Sequence, residues 1–178
     1  MARARSRRSF GLFRPVTFTP RRLLALATLT LSIVGGGAFL QGRVVSVADG
    51  DTVTVFVGKD GMTTVRLYGI DSPEGAQRGG RTATETTRSL VFLREVRVEV
   101  LDTDRYGRDV ALVHLPDGTI LNEELLRQGQ AWVYTAYCNR PRCLTWKTLE
   151  RTAREEKKGL WQDADPLPPW KWRERNRR

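Results

Sequence analysis

Alternating apolar and polar positions run through the chain from residue 41 onward. Residues 43–71, RVVSVADGDTVTVFVGKDGMTTVRLYGID, hold three such runs, and Asp-Gly pairs separate them as at turns. Two further runs, VRVEVLD (residues 96–102) and DVALVHLP (residues 109–116), also have the character of strands. The pattern therefore predicts five short β-strands.

Helical patterns lie between and after these strands. Helices are expected from about Gly80 to Leu93, within TILNEELLRQGQ (residues 119–130), and from about Leu144 to Lys158. The remaining tail is rich in proline and charge, so we expect an irregular conformation with docked tryptophans. Five strands with a helix after the third predict an α+β fold, mainly β. The predicted fold is a five-stranded Greek-key barrel of the OB-fold type, with about three helices.

The first forty residues differ from the rest of the chain. They carry seven arginines and no acid, and the eighteen residues from Leu23 to Leu40 are uncharged. The part from Leu23 to Val34 has the length of the apolar region of a signal peptide, followed by small residues at 36–38. Counted through Leu40, the same segment is a short membrane anchor in contact with the bilayer. Both interpretations stay open. In either, the protein is exported, to the periplasm or the medium, or is held outside the cytoplasm by its anchor.

Positive charge is concentrated at the two ends of the chain. Thirty basic and twenty acidic residues give a net charge of +10, but residues 1–40 hold seven of the basic residues. Residues 171–178 hold five more and one acid, which leaves eighteen basic and nineteen acidic residues between 41 and 170. This excludes a uniformly basic nucleic-acid coat. Phosphate contacts in the body must come from a few placed arginines.

The chain has two cysteines, Cys138 and Cys143, in the stretch YCNRPRC. Together with the single His114 they are too few for a four-ligand structural zinc site. In an oxidising compartment a short-loop disulfide is the natural interpretation, and two unpaired thiols are the alternative.

Two polar clusters interrupt the strand pattern in the first half of the barrel. ADGDTV places Asp49 and Asp51 on one face of an extended chain, although a hairpin turn explains them equally well. Arg66 and Asp71 lie on opposite faces of a regular strand. They converge only if the strand bends, and Gly69 is where a bulge can form.

A third cluster is DTDRYGRD, residues 102–109, which alone is typical of a solvated loop. The stretch Ser72-Pro73-Glu74 is likewise a good helix opening. Taken together, however, the three clusters supply hard oxygen ligands, two arginines and a further carboxylate. Metal-assisted phosphodiester cleavage needs this set, and carboxylate and carbonyl oxygens suit Ca²⁺.

Four motifs in this order resemble the staphylococcal nuclease (thermonuclease) family: DGDTV, VRLYGIDSPE, DRYGRDVA and LNEELLRQGQA. The resemblance runs from about Val44 to Trp161. It implies an OB-fold nuclease domain over residues 41–163, between the N-terminal segment (1–40) and a Pro/Trp-rich basic tail (164–178). It also implies a Ca²⁺-dependent endonuclease that hydrolyses DNA and RNA and leaves 3′-phosphates and 5′-hydroxyls.

The resemblance assigns roles position by position. The implied Ca²⁺ ligands are Asp51, Asp71 and the backbone carbonyl of Ser72, with Asp49 nearby but not a firm ligand. Glu74 falls where the attacking water is activated, directly or through a water network. The implied phosphate-binding residues are Arg66 and Arg108 at the scissile phosphate, Arg105 and Tyr106 at a second phosphate, and Tyr137 near the nucleotide.

The chain also departs from the family archetype. Ser72 stands where the archetype has threonine, and the loop from Gly75 to Arg81 is shorter, which affects substrate preference. The alternative function is a non-catalytic binding module on the same fold, for nucleic acid or for a protein. Such modules typically lose the acids or arginines that this chain retains. The basic tail could in addition bind a membrane or a partner; the sequence itself predicts no protein partner.

Overall fold

The computed structural model of the protein describes residues 38–177. Its strands are β1 (Ala38–Asp49), β2 (Thr52–Phe56), β3 (Met62–Leu67), β4 (Ile70–Asp71), β5 (Glu95–Thr103), β6 (Asp109–His114) and β7 (Trp132–Val133). Its α-helices are α1 (Gly80–Val91), α2 (Leu121–Arg127), α3 (Arg142–Glu155) and α4 (Pro169–Arg175). The five predicted strands and three predicted helices all form, and α4 is additional.

Five of the strands close into a barrel in the order β1-β2-β3-β6-β5. Neighbouring strands are antiparallel except β3 and β6, which run parallel with Arg66 opposite Val110. Helix α1 follows β3 and β4 and packs on β1. The predicted α+β fold with an OB-type barrel is confirmed. The short strands β4 and β7 form a separate two-stranded sheet.

The barrel core explains the alternating sequence pattern. Every second residue of the strands points inward, and these residues are mainly valines, which suit a pleated and tightly packed surface. Those with no exposed surface include Val44, Val53, Val55, Val65, Val98 and Val113. The inward-facing positions thus form one continuous core that holds the strand ends in fixed positions.

The barrel begins earlier than the sequence boundary suggested. Ala38, Phe39 and Leu40 belong to β1, where they pair with Val100, Glu99 and Val98 of β5. The sequence alone places these three residues in the N-terminal segment, because they continue its uncharged run. The predicted signal peptide or anchor otherwise lies outside the described residues. Within residues 38–177, every helix is too short or too polar to cross a bilayer.

The tail contradicts one expectation and agrees with another. The expected irregular conformation is correct for residues 163–168 and wrong for Pro169–Arg175, which form the two-turn helix α4. Proline is favoured as the first residue of a helix, because the N–H that it lacks would have no partner there. The expected docking of tryptophans is present. Trp170 stacks on Tyr134 with ring centroids 5.3 Å apart and planes 2° apart. Trp161 packs edge-on against Trp132 at 5.0 Å.

Candidate active site

A bend at the end of β3 brings Arg66 and Asp71 together. Gly69 adopts a positive φ of 68°, and a Cβ at this position would lie 2.8 Å from Cys138 Sγ. Only glycine fits both requirements without strain. The chain therefore turns sharply into β4, and Arg66 Nη2 lies 2.8 Å from Asp71 Oδ1.

The guanidinium of Arg66 is fixed by several partners at once. Its Nη1 lies 3.0 Å from Asp51 Oδ2 and donates to the carbonyls of Ile70 (3.0 Å) and Leu67 (3.1 Å). The side chain is largely buried. A planar group with this many directed contacts has a single orientation, which suits it to meet a phosphate at a fixed place.

Asp51 connects the β1–β2 turn to the segment after β4. Its backbone N–H donates to Asp49 Oδ1 at 3.0 Å, so the turn interpretation of Asp49 is correct. Its Oδ2 accepts the backbone N–H of Ser72 at 2.6 Å. The Ser72 hydroxyl donates to the Gln130 carbonyl at 3.1 Å, so both polar groups of Ser72 that can donate are used within the protein.

The two buried acids lie in an environment that disfavours negative charge. Burial raises the pKa of Asp51 to about 8; Arg66 opposes this shift, and the carboxylates of Asp49 and Asp71 add to it. Burial also raises the pKa of Asp71, against the hydrogen bond from Arg173. Carboxyl groups that are crowded and dehydrated in this way are stabilised by an added cation.

Glu74 lies at the rim of this cluster and is about one third exposed. Its backbone N–H donates to Gln77 Oε1 at 3.2 Å. Its side chain accepts a hydrogen bond from Arg173 Nη1 at 2.7 Å. The same guanidinium reaches Asp71, with Nη2 2.8 Å from Oδ2 and Nη1 3.2 Å from Oδ1.

The residues of the 104–108 turn do not touch the buried cluster. Arg108 Nε pairs with Asp104 Oδ2 at 2.7 Å, and Arg105 Nη2 donates to the Tyr106 hydroxyl at 2.7 Å. Both guanidinium groups lie over the Tyr106 ring, which is two-thirds exposed. The turn leads directly into β6, which runs parallel to β3 and places Val110 opposite Arg66. The turn therefore adjoins the strand next to the one that carries Arg66.

Tyr137 adds an exposed aromatic ring near the turn. It packs against Tyr134 with centroids 4.9 Å apart. The hydrogen bond to Tyr106 raises the pKa of Arg105, and Tyr137 makes a smaller contribution in the same direction. The next residue, Cys138, is bonded to Cys143, with Cα atoms 5.7 Å apart. The disulfide holds the loop that carries Tyr137 against the barrel under Gly69.

The chemistry of this cluster fits a hard divalent cation. Four carboxyl groups (Asp49, Asp51, Asp71, Glu74) face two guanidinium groups (Arg66, Arg173), a formal surplus of two negative charges when all ionise. Among residues 38–177, no three His, Cys, Asp or Glu side chains are grouped as a ready-made metal site. The predicted ligand set has two carboxylates and a backbone carbonyl, so it does not need such a group.

Arg173, which contacts both Asp71 and Glu74, was not predicted from the sequence. It lies about one hundred positions from its partners, in a tail with several other arginines, and no local pattern distinguishes it from them. The Tyr134–Trp170 stack was also not foreseen as a specific pair. The tail prolines and tryptophans did signal that this segment would dock.

Comparison with known proteins agrees with the geometry. Residues 64–163 match the family described as "Staphylococcal nuclease homologue". An "Uncharacterized endonuclease" of Escherichia coli O157:H7 is 44% identical over 138 residues, covering 78% of this chain and 88% of the relative. A "Micrococcal nuclease" of Shigella flexneri is 35% identical over 160 residues, covering 85% and 91% of the two chains. An "Uncharacterized endonuclease" of Haemophilus influenzae is 36% identical over 131 residues, covering 74% and 71%.

The family match includes Arg66, Asp71, Glu74 and Arg108, and it ends before the tail that carries Arg173. The matched segment is more than half of the chain, and the relatives extend the similarity to most of the rest. The chain therefore belongs to the staphylococcal nuclease family, and this membership supports endonuclease activity on nucleic acid.

Proposed function

We propose that the protein is a Ca²⁺-dependent endonuclease that hydrolyses phosphodiester bonds of DNA and RNA. The observation that carries this proposal is the convergence of two buried carboxylates, Asp51 and Asp71, on the fixed guanidinium of Arg66. A barrel needs no such cluster for stability, because burying charged groups costs more than burying apolar ones. This supports a chemical role for the cluster.

In this proposal Asp51, Asp71 and the Ser72 carbonyl hold the cation. When bound, Ca²⁺ supplies positive charge next to the scissile phosphate and offsets the charge that develops there. The burial that raises the pKa of both acids, with a smaller contribution from neighbouring carboxylates, makes them receptive to such an ion. Ca²⁺ accepts oxygen ligands in flexible number and leaves positions open for water and phosphate.

The protein's own groups carry out the hydrolysis. Water attacks the phosphorus, its proton passes to the Glu74 carboxylate directly or through a second water, and the bond from phosphorus to O5′ breaks. O5′ takes a proton from a solvent water and leaves as a 5′-hydroxyl, Glu74 returns its proton to the solvent, and the phosphate stays on the 3′ side. Arg66 and Arg108 donate to the phosphate oxygens, where planar guanidinium groups offset the charge of the transition state.

The exposed turn provides a second contact surface in this proposal. Arg105 binds a neighbouring phosphate, while the rings of Tyr106 and Tyr137 are exposed and available to the nucleotide. Stacking of bases on aromatic rings tolerates any sequence, and the 2′-hydroxyl is not needed for it. This supports activity on both DNA and RNA rather than on one of them.

The test is digestion of labelled single-stranded DNA and RNA of equal sequence, followed by analysis of the product ends. We expect both to be cut, and we expect the new 3′ ends to resist polymerase extension until a phosphatase is added. Ends that extend without phosphatase would contradict the proposed bond cleavage. Retention of the labelled strands without any cleavage would identify a non-catalytic binding module instead.

We further propose that the protein is exported. The support is the Cys138–Cys143 disulfide, since such bonds persist in oxidising compartments. A reporter active only outside the cytoplasm, fused after Arg178, should give signal. The mass of the exported protein then distinguishes a cleaved signal peptide from a retained anchor. Reactive thiols at both cysteines would contradict the proposal.

A further inference from the structure

The C-terminal tail lies across the proposed cation site. From α4, Arg173 makes three hydrogen bonds of 2.7 to 3.2 Å to the carboxylates of Asp71 and Glu74. These two residues are the proposed cation ligand and the proposed base. The bonds to both acids raise the pKa of Arg173, although burial acts in the opposite direction. Arg173 thus provides a positive charge at the place where the proposed function requires a metal ion.

Other contacts position the tail independently of Arg173. Trp170 stacks on Tyr134. The Leu167 carbonyl accepts a hydrogen bond from Gln77 Nε2 at 2.5 Å. Arg78 pairs with Asp163 at 2.8 Å, just before the tail. Gln77 Oε1 also accepts a hydrogen bond from the backbone N–H of Glu74, so the Gln77 side chain links the tail to the segment that carries Glu74. Arg173 is therefore delivered to the acids by a docked segment.

We infer that this tail is an autoinhibitory strap, residues 164–177, whose Arg173 competes with Ca²⁺ for Asp71 and Glu74. The inference rests on the proposed function, since it assigns a regulator to the same site. Both carboxylate oxygens of Asp71 accept hydrogen bonds from Arg173, and Oδ1 also accepts one from Arg66, so a cation at this carboxylate competes with the Arg173 guanidinium for the same oxygens. Glu74 Oε1 likewise accepts from Arg173, so this oxygen can take a proton from water only after the guanidinium has moved away.

The strap is built so that it can leave. α4 has seven residues, which is too short to be stable as an isolated helix. Arg173 is about one third exposed, so its guanidinium can be hydrated as it moves away. A divalent ion that binds when the strap leaves would replace the positive charge that Asp71 and Glu74 lose. Residues 164–177 also lie outside the segment that matches the nuclease family, so the strap is not part of that match.

The competition has a thermodynamic consequence. If the strap is docked in about nine molecules of ten, the apparent Ca²⁺ affinity is about tenfold weaker than that of the open site. In the proposed function, Ca²⁺ and the substrate phosphate occupy the same site. Each of them therefore favours release of the strap. Activity would then rise steeply only when both are present.

The test is calorimetric titration of the full chain with Ca²⁺, which measures binding without cleavage. Arg173→Gln should bind Ca²⁺ about tenfold more tightly than the wild type. Arg175→Gln removes the same charge from an exposed position of the same helix and should bind as the wild type does. Trp170→Ala, which releases α4 without changing any charge, should also bind more tightly.

Hydrogen exchange supplies a second readout. The amides of α4 should exchange faster in the wild type when Ca²⁺ is added. Equal Ca²⁺ affinity in the wild type and Arg173→Gln would overturn the strap while leaving the proposed function intact. An equal increase of Ca²⁺ affinity in Arg173→Gln and Arg175→Gln would also overturn the strap, because it would show a general effect of charge. If neither the wild type nor Arg173→Gln bound Ca²⁺, the proposed function would fail and the strap with it.

Discussion

Two arginine-bearing regions, one at the end of β3 and one in the turn before the neighbouring strand β6, are built very differently. Arg66 is buried at the end of β3, between two acids and two backbone carbonyls. Arg105 and Tyr106 lie on an exposed turn, where they contact mainly each other. Arg108 is intermediate, because its partner Asp104 belongs to the same turn.

This difference indicates a division of labour. A group that stabilises a transition state must be held in position before the reaction, as Arg66 is. Groups that bind varied nucleotides can adjust, as exposed aromatic and arginine side chains do. We therefore expect changes in the buried cluster to reduce turnover and changes in the turn to reduce binding.

The largest effect is expected for Asp71→Asn. We predict a loss of kcat on the order of 10² or more, because the change removes a cation ligand of the proposed site. The melting temperature without metal should hardly change, since asparagine keeps the volume and relieves the crowding of buried acids. The matched control is Asp60→Asn, which changes an exposed acid in the Asp60-Gly61 turn. A large loss of stability would instead favour a purely structural role for Asp71.

The next effect concerns Arg66 and Arg108, the two arginines proposed to bind the scissile phosphate. Arg66→Lys and Arg108→Lys keep the charge and remove the planar fork, so each should lower kcat on the order of 10². The affinity for a non-hydrolysable nucleotide should change far less. Steady-state kinetics and nucleotide titration, made on the same preparations, separate the two quantities. An unchanged kcat in Arg66→Lys would remove it from the catalytic group.

A smaller effect, on binding alone, is expected in the exposed turn. Arg105→Ala should weaken nucleotide binding by about tenfold or less, in keeping with one charge-assisted hydrogen bond to an exposed phosphate. Its kcat at saturating substrate should stay near the wild-type value. A loss of turnover as large as that of Arg66→Lys would abolish the distinction between the two regions.

The disulfide is expected to affect stability more than activity. Replacing both Cys138 and Cys143 by serine should lower the free energy of unfolding by about 2 kcal/mol, since the closed loop is short. The loop carries Tyr137, so nucleotide binding should weaken slightly. Denaturant unfolding measures the first effect. If kcat fell strongly with folding intact, the loop would have to belong to the catalytic cluster.

The barrel was predictable because its signals are local. Period-two alternation, Asp-Gly turns and a helix between the third and fourth barrel strands are each visible within a dozen residues. The convergence of Arg66 and Asp71 was also predictable, because Gly69 marked the one place where the strand could bend. The resemblance to a known family supplied the proposed roles, which geometry alone does not assign.

The tail was not predictable to the same degree. Arg173 meets Asp71 and Glu74 across about one hundred residues, and only packing in three dimensions selects it over Arg175. The start of β1 was missed for a related reason. Ala38, Phe39 and Leu40 are uncharged and continue an apolar run, yet their pairing with β5 makes them part of the barrel.

The most direct test of the central claim is the rate of single-stranded DNA cleavage as Ca²⁺ is first removed and then restored. The wild-type protein should lose cleavage in chelator and regain it fully when Ca²⁺ is added in excess. Asp71→Asn, measured beside it, should show little recovery. Undiminished cleavage in chelator, or full recovery by Asp71→Asn, would contradict the assignment of the buried acid–arginine cluster as a Ca²⁺-dependent catalytic centre.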